Sequence, residues 1–151
     1  LSLEGHNIEV INGSVSGSTT AGGLNIAEWT LSENNIDLMI LCLGANDMLR
    51  GINPKETKNN LIEIIKIAKS KNIKVIIAGM IAPTSHGSNY KKSFDKIFED
   101  LSNEYELQLI PFLLEGVAQK PEFNLSDGMH PNDKGTIIIG KTLKEAILKN
   151  L

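Results

Sequence analysis

The sequence predicts an α/β fold built on a parallel sheet, and three observations support this prediction. Short apolar runs alternate with longer amphipathic segments along the chain. Two of the runs, 36–43 and 73–79, are apolar almost throughout, which is typical of parallel strands covered on both faces. The chain has 151 residues, of which 41% are hydrophobic, and this is enough for a core of its own. We therefore predict one α/β domain over residues 1–151.

Four short apolar runs are predicted to be strands. They span 8–11, 36–43, 73–79 and 107–111. Crossovers between parallel strands are right-handed, and ligands of such sheets bind beyond the carboxyl ends of the strands. The four loops that leave those ends hold most of the glycines and nearly all the polar residues of interest. We therefore expect these loops to meet along one edge of the sheet.

Four segments have the apolar spacing of helices that pack on a sheet. The first, 20–33, is the weakest because it contains two adjacent glycines. The second, 53–72, has Pro54 near its start, where proline is favoured. The others span 89–105 and the C-terminal stretch that begins at residue 132 or 133. The predicted order is four alternations of strand and helix.

The chain opens with LSLEGHNIEV, which predicts the end of a helix leading into the first strand. We therefore expect the chain to start within a domain, with further residues before Leu1. Any targeting segment would belong to those residues, so these 151 residues predict no localisation.

Composition and charge argue against several classes of function. The net charge is −3, without the clustered lysine and arginine that bind nucleic acid. The three histidines and one cysteine are far apart and match no metal-ligand spacing. No apolar run reaches the roughly 18 to 20 residues that cross a bilayer. We therefore predict no metal site, no nucleic-acid partner and no membrane span.

The stretch SDGMHP places Asp127 three residues before His130. A carboxylate that accepts the N–H of an imidazole fixes its tautomer, and the other ring nitrogen is then free to act as a base. Pro131 restricts the backbone of His130 to extended conformations. The alternative is the start of a helix with an incidental histidine.

The loop GANDMLRG follows the most apolar predicted strand. Gly44 permits a tight turn, and the Asn46 amide is a neutral donor suited to a developing oxyanion. Asp47 is predicted to support the loop by accepting nearby backbone N–H groups. The alternative is a plain turn that ends a strand.

The loop NGSVSGSTTAGG follows the first predicted strand. Gly17 can bring its backbone N–H close to a substrate. The same stretch is also similar to the phosphate-binding loop of flavodoxins, because hydroxyls and N–H groups at a helix start bind phosphate. An FMN-binding module is therefore an alternative from a different class.

Taken in order, VSGSTTAGG, LGAND and DGMHP resemble the motifs of the SGNH hydrolases, also called GDSL lipases and esterases. GANDMLRGINPKETKNNL, AGMIAP and PFLLEGVA resemble the arylesterase, lysophospholipase and thioesterase I branch of that family. The resemblance covers essentially the whole chain. It implies a three-layer αβα sandwich with a flavodoxin-like parallel sheet, and an enzyme without a cofactor.

The resemblance also implies roles for four residues. His130 is expected to be the general base, and Asp127 to orient it. The N–H of Gly17 and the amide of Asn46 are expected to be two of the three donors of the oxyanion hole.

The first motif of the family, Gly-Asp-Ser, is absent from these 151 residues. The resemblance therefore implies that the nucleophilic serine lies before Leu1, on a strand that would run between 8–11 and 36–43. Ser14 and Ser16 are disfavoured as nucleophiles because their loop would then supply both donor and nucleophile. We expect the 151 residues alone to be inactive.

The resulting prediction is a serine esterase of carboxylic esters or thioesters, acting on a small-molecule substrate such as an aryl ester, a lysophospholipid or an acyl thioester. The alternatives are the FMN-binding module and a non-catalytic relative that binds acyl or glycan ligands. The resemblance implies a periplasmic or secreted protein, and a cytoplasmic location is also compatible with the sequence.

Overall fold

A computed structural model of the chain describes residues 5–32 and 35–151. The helices are α1 (Thr20–Thr30), α2 (Ala45–Leu49), α3 (Pro54–Ser70), α4 (Ser88–Tyr105) and α5 (Asp133–Leu148). The strands are β1 (Leu38–Leu41), β2 (Lys74–Ala78) and β3 (Gln108–Ile110), and short 3-10 turns lie at Thr84–His86 and Pro121–Phe123.

In the described part of the chain the sheet has three parallel strands in the order β1-β2-β3. Leu38 lies opposite Lys74, and Ile76 lies opposite Gln108. The central strand β2 is buried at all four positions from 75 to 78. Since successive side chains point to opposite faces, both faces of β2 are covered. Helices therefore flank the parallel sheet, and the predicted α/β fold is confirmed.

The helices cover the sheet through apolar faces. α3 packs against α1 and α4, α4 contacts β2 and β3, and α5 contacts β3. The 3.6-residue spacing of the apolar positions in α3 and α4 gives each helix one buried face. The residues on these two faces are Leu61, Ile64, Ile65 and Ala68 of α3, with Phe94, Ile97, Phe98 and Leu101 of α4.

The predicted strand at 8–11 is wrong. These residues have no regular secondary structure, and Val10 is 83% exposed. A short apolar run becomes a strand only when a neighbour accepts and donates its backbone hydrogen bonds. Among the described strands, β1 pairs with β2 alone and does not pair with 8–11. The composition of the run was favourable, but the pairing that a strand needs is absent there.

Two further expectations differ from the structure or fall outside it. The predicted helix end at the chain start lies partly in residues 1–4, outside the described residues, and 5–7 are not helical. The stretch 44–51, predicted as a loop, contains α2. A five-residue helix is too short to show a helical apolar period, so the sequence pattern did not indicate it.

The loops that leave the three strands lie at one edge, because parallel strands end on the same side. Backbone hydrogen bonds join two of these loops. The Gly79 N–H donates to the Ile110 carbonyl at 2.8 Å, and the Leu113 N–H donates to the Gly79 carbonyl at 3.0 Å. α2 follows β1 at the same edge.

Candidate active site

Gly44 sets the position of α2. Its φ of 117° lies where side chains are rarely found, and a Cβ there would come within 3.3 Å of the Phe98 ring. The chain passes from β1 to α2 in three residues because of this turn. As a result, Asn46 and Asp47, which lie in the first turn of α2, are placed at the edge of the sheet where the strands end.

The Asn46 amide is half-buried and faces the loop before α1. Its Nδ2 donates to the Ser18 carbonyl at 3.0 Å. An amide nitrogen carries two N–H groups, so this bond orients the amide and leaves the second N–H for another acceptor. The structure therefore brings Asn46 to the residue that follows Gly17.

Gly17 lies in a tight turn that exposes its backbone. The Ser18 N–H donates to the Val15 carbonyl at 3.1 Å, and Gly17 has a φ of 73°. A positive φ at the third position of a turn, after a residue without one, is typical of a type II turn and favours glycine. No atom outside its chain neighbours lies within 4 Å of where a Cβ would be, so the peptide at Gly17 is open to an approaching molecule.

Asp47 is fully buried, and it was expected to support its loop by accepting nearby backbone N–H groups. Its carboxylate accepts one such group, the Thr20 N–H at 2.8 Å. It also accepts the Thr20 hydroxyl and the Thr57 hydroxyl, the latter at 3.2 Å. The Asn60 amide also donates to the Thr20 hydroxyl oxygen, at 3.1 Å. Asp47 thus joins α2 to the start of α1 and to α3.

Asp127 and His130 form a directly bonded pair. The His130 Nδ1 lies 2.7 Å from the Asp127 Oδ2. The other carboxylate oxygen accepts the backbone N–H of Met129 at 2.8 Å and that of His130 at 2.9 Å. An ionised carboxylate only accepts hydrogen bonds, so the proton between the side chains belongs to Nδ1. The Nε2 of a neutral His130 then carries a lone pair, and the side chain is 71% exposed.

These bonds lower the pKa of Asp127 to about 2. The largest cause is the backbone N–H of His130, followed by the His130 imidazole and then the backbone N–H of Met129. Hydrogen bonds to the ionised form favour that form. Asp127 is therefore an anion at every pH where an imidazole can be neutral.

The segment that carries this pair is closed at its base. Asn124 and Pro131 form an isolated antiparallel bridge, and the Leu125 N–H donates to the His130 carbonyl at 2.7 Å. The buried Asn124 amide donates to two carbonyls of the preceding segment, both at 2.8 Å. Asn132 accepts two N–H groups in the first turn of α5. The predicted catalytic pair thus lies on a loop whose two ends are fixed by the hydrogen bonds of Asn124 and Asn132.

Several of these residues were not predicted to support the site. Asn132 was predicted only as a possible helix start, and asparagine directly before an apolar periodic segment is a favoured helix cap. Arg50 had no signal, because 44–51 was predicted as a loop, and the helix that brings Arg50 to the same side as Asn46 was not indicated. The pairing of Asp47 with α1 and α3 had no signal in the sequence.

The described residues contain no group of three or more His, Cys, Asp or Glu side chains that could hold a metal ion. Among the described helices, none is long and apolar enough to cross a membrane.

A scan against protein-family models matches residues 2–136 to the GDSL-like lipase/acylhydrolase family. The match covers most of the chain, including all the site residues described above. The chain belongs to this family.

Two curated relatives agree with the family match. An arylesterase from Vibrio mimicus is 36% identical over 147 residues, which are 97% of this chain and 74% of that protein. The thioesterase 1/protease 1/lysophospholipase L1 of Escherichia coli strain K12 is 33% identical over 123 residues, which are 82% of this chain and 59% of that protein. The chain thus spans roughly three fifths to three quarters of the length of these relatives.

A solved structure agrees as well. The crystal structure of TesA superposes with a TM-score of 0.93 at 30% identity, and the alignment covers 99% of this chain and 83% of that one. The predictions of an SGNH hydrolase fold and of an ester hydrolase of the arylesterase branch are confirmed. This result favours the esterase over the FMN-binding module.

Proposed function

We propose that this chain supplies the general base, its orienting carboxylate and two oxyanion donors for the hydrolysis of small-molecule acyl esters or thioesters. The observation that carries the proposal is the short bond between Asp127 and the Nδ1 of His130. The family assignment and the donors at Gly17 and Asn46 support it.

His130 acts as the base in this proposal. Asp127 holds the proton on Nδ1, so Nε2 is the nitrogen that accepts a proton from an attacking hydroxyl. As His130 becomes an imidazolium, the Asp127 anion stabilises it. The imidazolium then donates the proton to the leaving alkoxide or thiolate. Because the pKa of Asp127 is about 2, the carboxylate keeps this role throughout the neutral range.

Gly17 and Asn46 stabilise the oxyanion in this proposal. When a nucleophile attacks the carbonyl, negative charge develops on the carbonyl oxygen. The free N–H of the Asn46 amide and the backbone N–H of Gly17 are donors on adjacent segments that a hydrogen bond joins at Ser18. Donors fixed before the reaction need no reorganisation during it, which makes them effective in the transition state.

We propose that the nucleophile is a serine outside residues 1–151, on a strand that pairs with the outer edge of β1. Gly-Asp-Ser does not occur within these residues. In the described part of the chain, β1 is an edge strand, and its residues 38–40 are only half-buried. An apolar edge strand of this kind is normally covered in a folded protein.

The substrate is proposed to carry an apolar acyl or aryl group. Three exposed apolar side chains lie next to site residues in the sequence. Val15 is two residues before Gly17, Leu49 is three after Asn46, and Met129 directly precedes His130. A contiguous exposed apolar patch favours contact with a hydrophobic group, and we propose that these three side chains form such a patch beside the site.

Labelling with a fluorophosphonate probe tests the proposal. Such probes react with a serine that a base activates. The full-length protein should be labelled, and peptide mass spectrometry should find the label outside residues 1–151. Labelling should disappear in His130→Ala and persist when an exposed histidine outside the Asp127–His130 pair is replaced, as in His86→Ala. Label on Ser14 or Ser16 would overturn the assignment of the nucleophile, and undiminished labelling of His130→Ala would overturn the role of the base.

A second measurement tests the substrate class. The full-length protein should hydrolyse p-nitrophenyl esters, with kcat/KM rising from acetate to longer acyl chains. Leu49→Ser and Met129→Ser should lower kcat/KM for the longer esters and leave acetate nearly unchanged. Equal losses for acetate and the longer esters would show that these side chains do not contact the acyl group.

A further inference from the structure

Arg50 contacts the turn that contains Gly17, and the proposed function does not use it. The guanidinium Nη2 donates to the Gly17 carbonyl at 3.0 Å. Arg50 directly follows α2, and its own N–H donates to the Asn46 carbonyl at 3.2 Å. Residues four apart on a helix share a face. Arg50 and Asn46 therefore reach the same turn from one helix.

Three side chains of one short segment bond the residues 17–20. Arg50 bonds the Gly17 carbonyl, Asn46 bonds the Ser18 carbonyl, and Asp47 bonds the start of α1 at residue 20. The bonds of Asn46 and Asp47 lie after Gly17 in the chain. Arg50 is thus the member of this set that acts on the Gly17 residue itself.

The position of the Gly17 N–H relative to the Asn46 amide depends on how the turn is held against α2. The carbonyls of Gly17 and Ser18 are successive backbone groups, and they accept from Arg50 and from Asn46, each at 3.0 Å. Glycine adopts positive and negative φ almost equally well, and Gly17 has no side chain that could pack to hold it in place. The bond from Arg50 therefore restrains movement of residue 17 relative to the Asn46 amide.

The charge of Arg50 is also free to act at the site. No carboxylate in the described part of the chain forms a salt bridge with the guanidinium. Arginine stays protonated at every physiological pH. A cation beside the turn favours negative charge that develops there.

We propose that Arg50 is a positioning residue for oxyanion stabilisation, which holds residue 17 against the end of α2 so that the Gly17 N–H and the Asn46 amide can donate to the same oxyanion. This inference rests on the proposed function. Arg50 touches neither substrate nor nucleophile in this role; it acts through Gly17. Its effect therefore belongs to the transition state and not to the binding of substrate.

Kinetics of the full-length enzyme with p-nitrophenyl acetate test this inference. Arg50→Met should lower kcat by about 10- to 100-fold, since a misplacement of about 1 Å at a reacting centre has effects of this size. KM should change little, because an interaction made only in the transition state lowers kcat and kcat/KM together. Arg50→Lys keeps the charge and one donor, and it should recover part of the loss.

A matched control separates the bond from the net charge. Lys55→Met removes one exposed cation from the start of α3 and should leave kcat unchanged. An Arg50→Met enzyme with the wild-type kcat, alongside an Asn46→Ala enzyme with a strongly reduced one, would overturn the role of Arg50 and leave the proposed function intact. If Asn46→Ala and His130→Ala both kept full activity, the proposed function itself would fail.

An NMR measurement tests the same inference without activity. The chemical shift of a backbone carbonyl carbon responds to the hydrogen bond that its oxygen accepts. The Gly17 carbonyl shift should therefore change from the full-length wild type to Arg50→Met and lie between the two in Arg50→Lys. An unchanged shift in a folded Arg50→Met variant would show that Arg50 does not hold residue 17 in solution.

Discussion

The two halves of the candidate site are built in different ways. The donor half, around Gly17 and Asn46, is held by side-chain bonds between residues 10 to 40 positions apart, with a fully buried carboxylate at their centre. The base half, around Asp127 and His130, is held by bonds between residues two or three positions apart on an exposed loop. One half depends on the packing of three helices, and the other depends on a local turn.

Because of this difference, substitutions in the two halves should have different effects on folding stability and on catalysis. A buried acceptor with several donors is costly to remove, because each donor that loses its partner stays buried. When an exposed carboxylate is removed, water can accept the hydrogen bonds of its former donors. Substitutions in the donor half should therefore affect both folding and turnover, and those at Asp127 and His130 should affect turnover with little effect on folding.

The largest expected effect is on kcat of the full-length enzyme. His130→Ala should lower kcat by up to about 10⁴-fold, at the upper end of the range for a general base. Asn46→Ala should lower it by about 10²–10³-fold, the typical effect of losing one oxyanion donor. Steady-state kinetics with p-nitrophenyl acetate measures both. Equal melting temperatures of His130→Ala and wild type would complete the comparison, and a strongly unstable His130→Ala would contradict it.

The next effect is the stability difference between the two carboxylates. Asp47→Ala leaves the N–H and hydroxyl of Thr20 and the hydroxyl of Thr57 without their acceptor, and each unsatisfied buried group costs about 1–3 kcal/mol. The free energy of unfolding should fall by about 3 kcal/mol or more, as measured with urea. Asp127→Asn serves as the exposed control and should change it little. Similar losses in both variants would remove the distinction between the two halves.

The titration of Asp127 provides a smaller and more specific effect. Its pKa is lowered to about 2, so its bonds contribute stability above the unfolded value and lose that contribution as the pH falls from about 4 through 2. Carbon NMR of the side-chain carboxyl should show a midpoint near 2.

The variant His130→Ala refines this measurement. It removes the imidazole but keeps the backbone N–H groups of residues 129 and 130, so the pKa of Asp127 should rise only part of the way to its ordinary value. A rise to the ordinary value would mean that the side chain of His130 is the whole cause. No rise at all would mean that the bond between the two side chains is absent in solution.

The smallest expected effect concerns Thr57. Thr57→Val removes one hydroxyl from the buried Asp47 carboxylate at nearly constant volume, with an expected loss of about 1–2 kcal/mol in the free energy of unfolding. Thr57→Ser keeps the hydroxyl and removes a methyl group. A larger loss for Thr57→Ser than for Thr57→Val would show that packing at this position outweighs the hydrogen bond.

Much of the fold was predictable from local pattern. The strands β1, β2 and β3 lie inside the predicted apolar runs, and α3, α4 and α5 lie close to the predicted limits, because continuous apolar runs and 3.6-residue spacing reflect burial directly. The strand predicted at 8–11 failed because its pattern carries no information about a partner. The prediction of one domain over residues 1–151 stays a prediction.

The two halves of the site could not be predicted equally well from the sequence. The bond between Asp127 and His130 follows from a spacing of three residues around a turn. By contrast, no repeating pattern in the sequence marks the hydrogen bonds of Asp47 with Thr20 and Thr57. The same is true of the bond between Arg50 and Gly17.

By itself, the sequence determined the α/β class and the Asp127–His130 pair, because these depend on the burial of apolar faces and on contacts between near neighbours. The family followed from the resemblance of its motifs, which the family match confirms. Only the tertiary structure decided that Asn46, Asp47 and Arg50 bond residues 17, 18 and 20, and that 8–11 stays outside the sheet. Hydrogen bonds between distant residues form only after the helices have packed, so their geometry is a property of the packed chain.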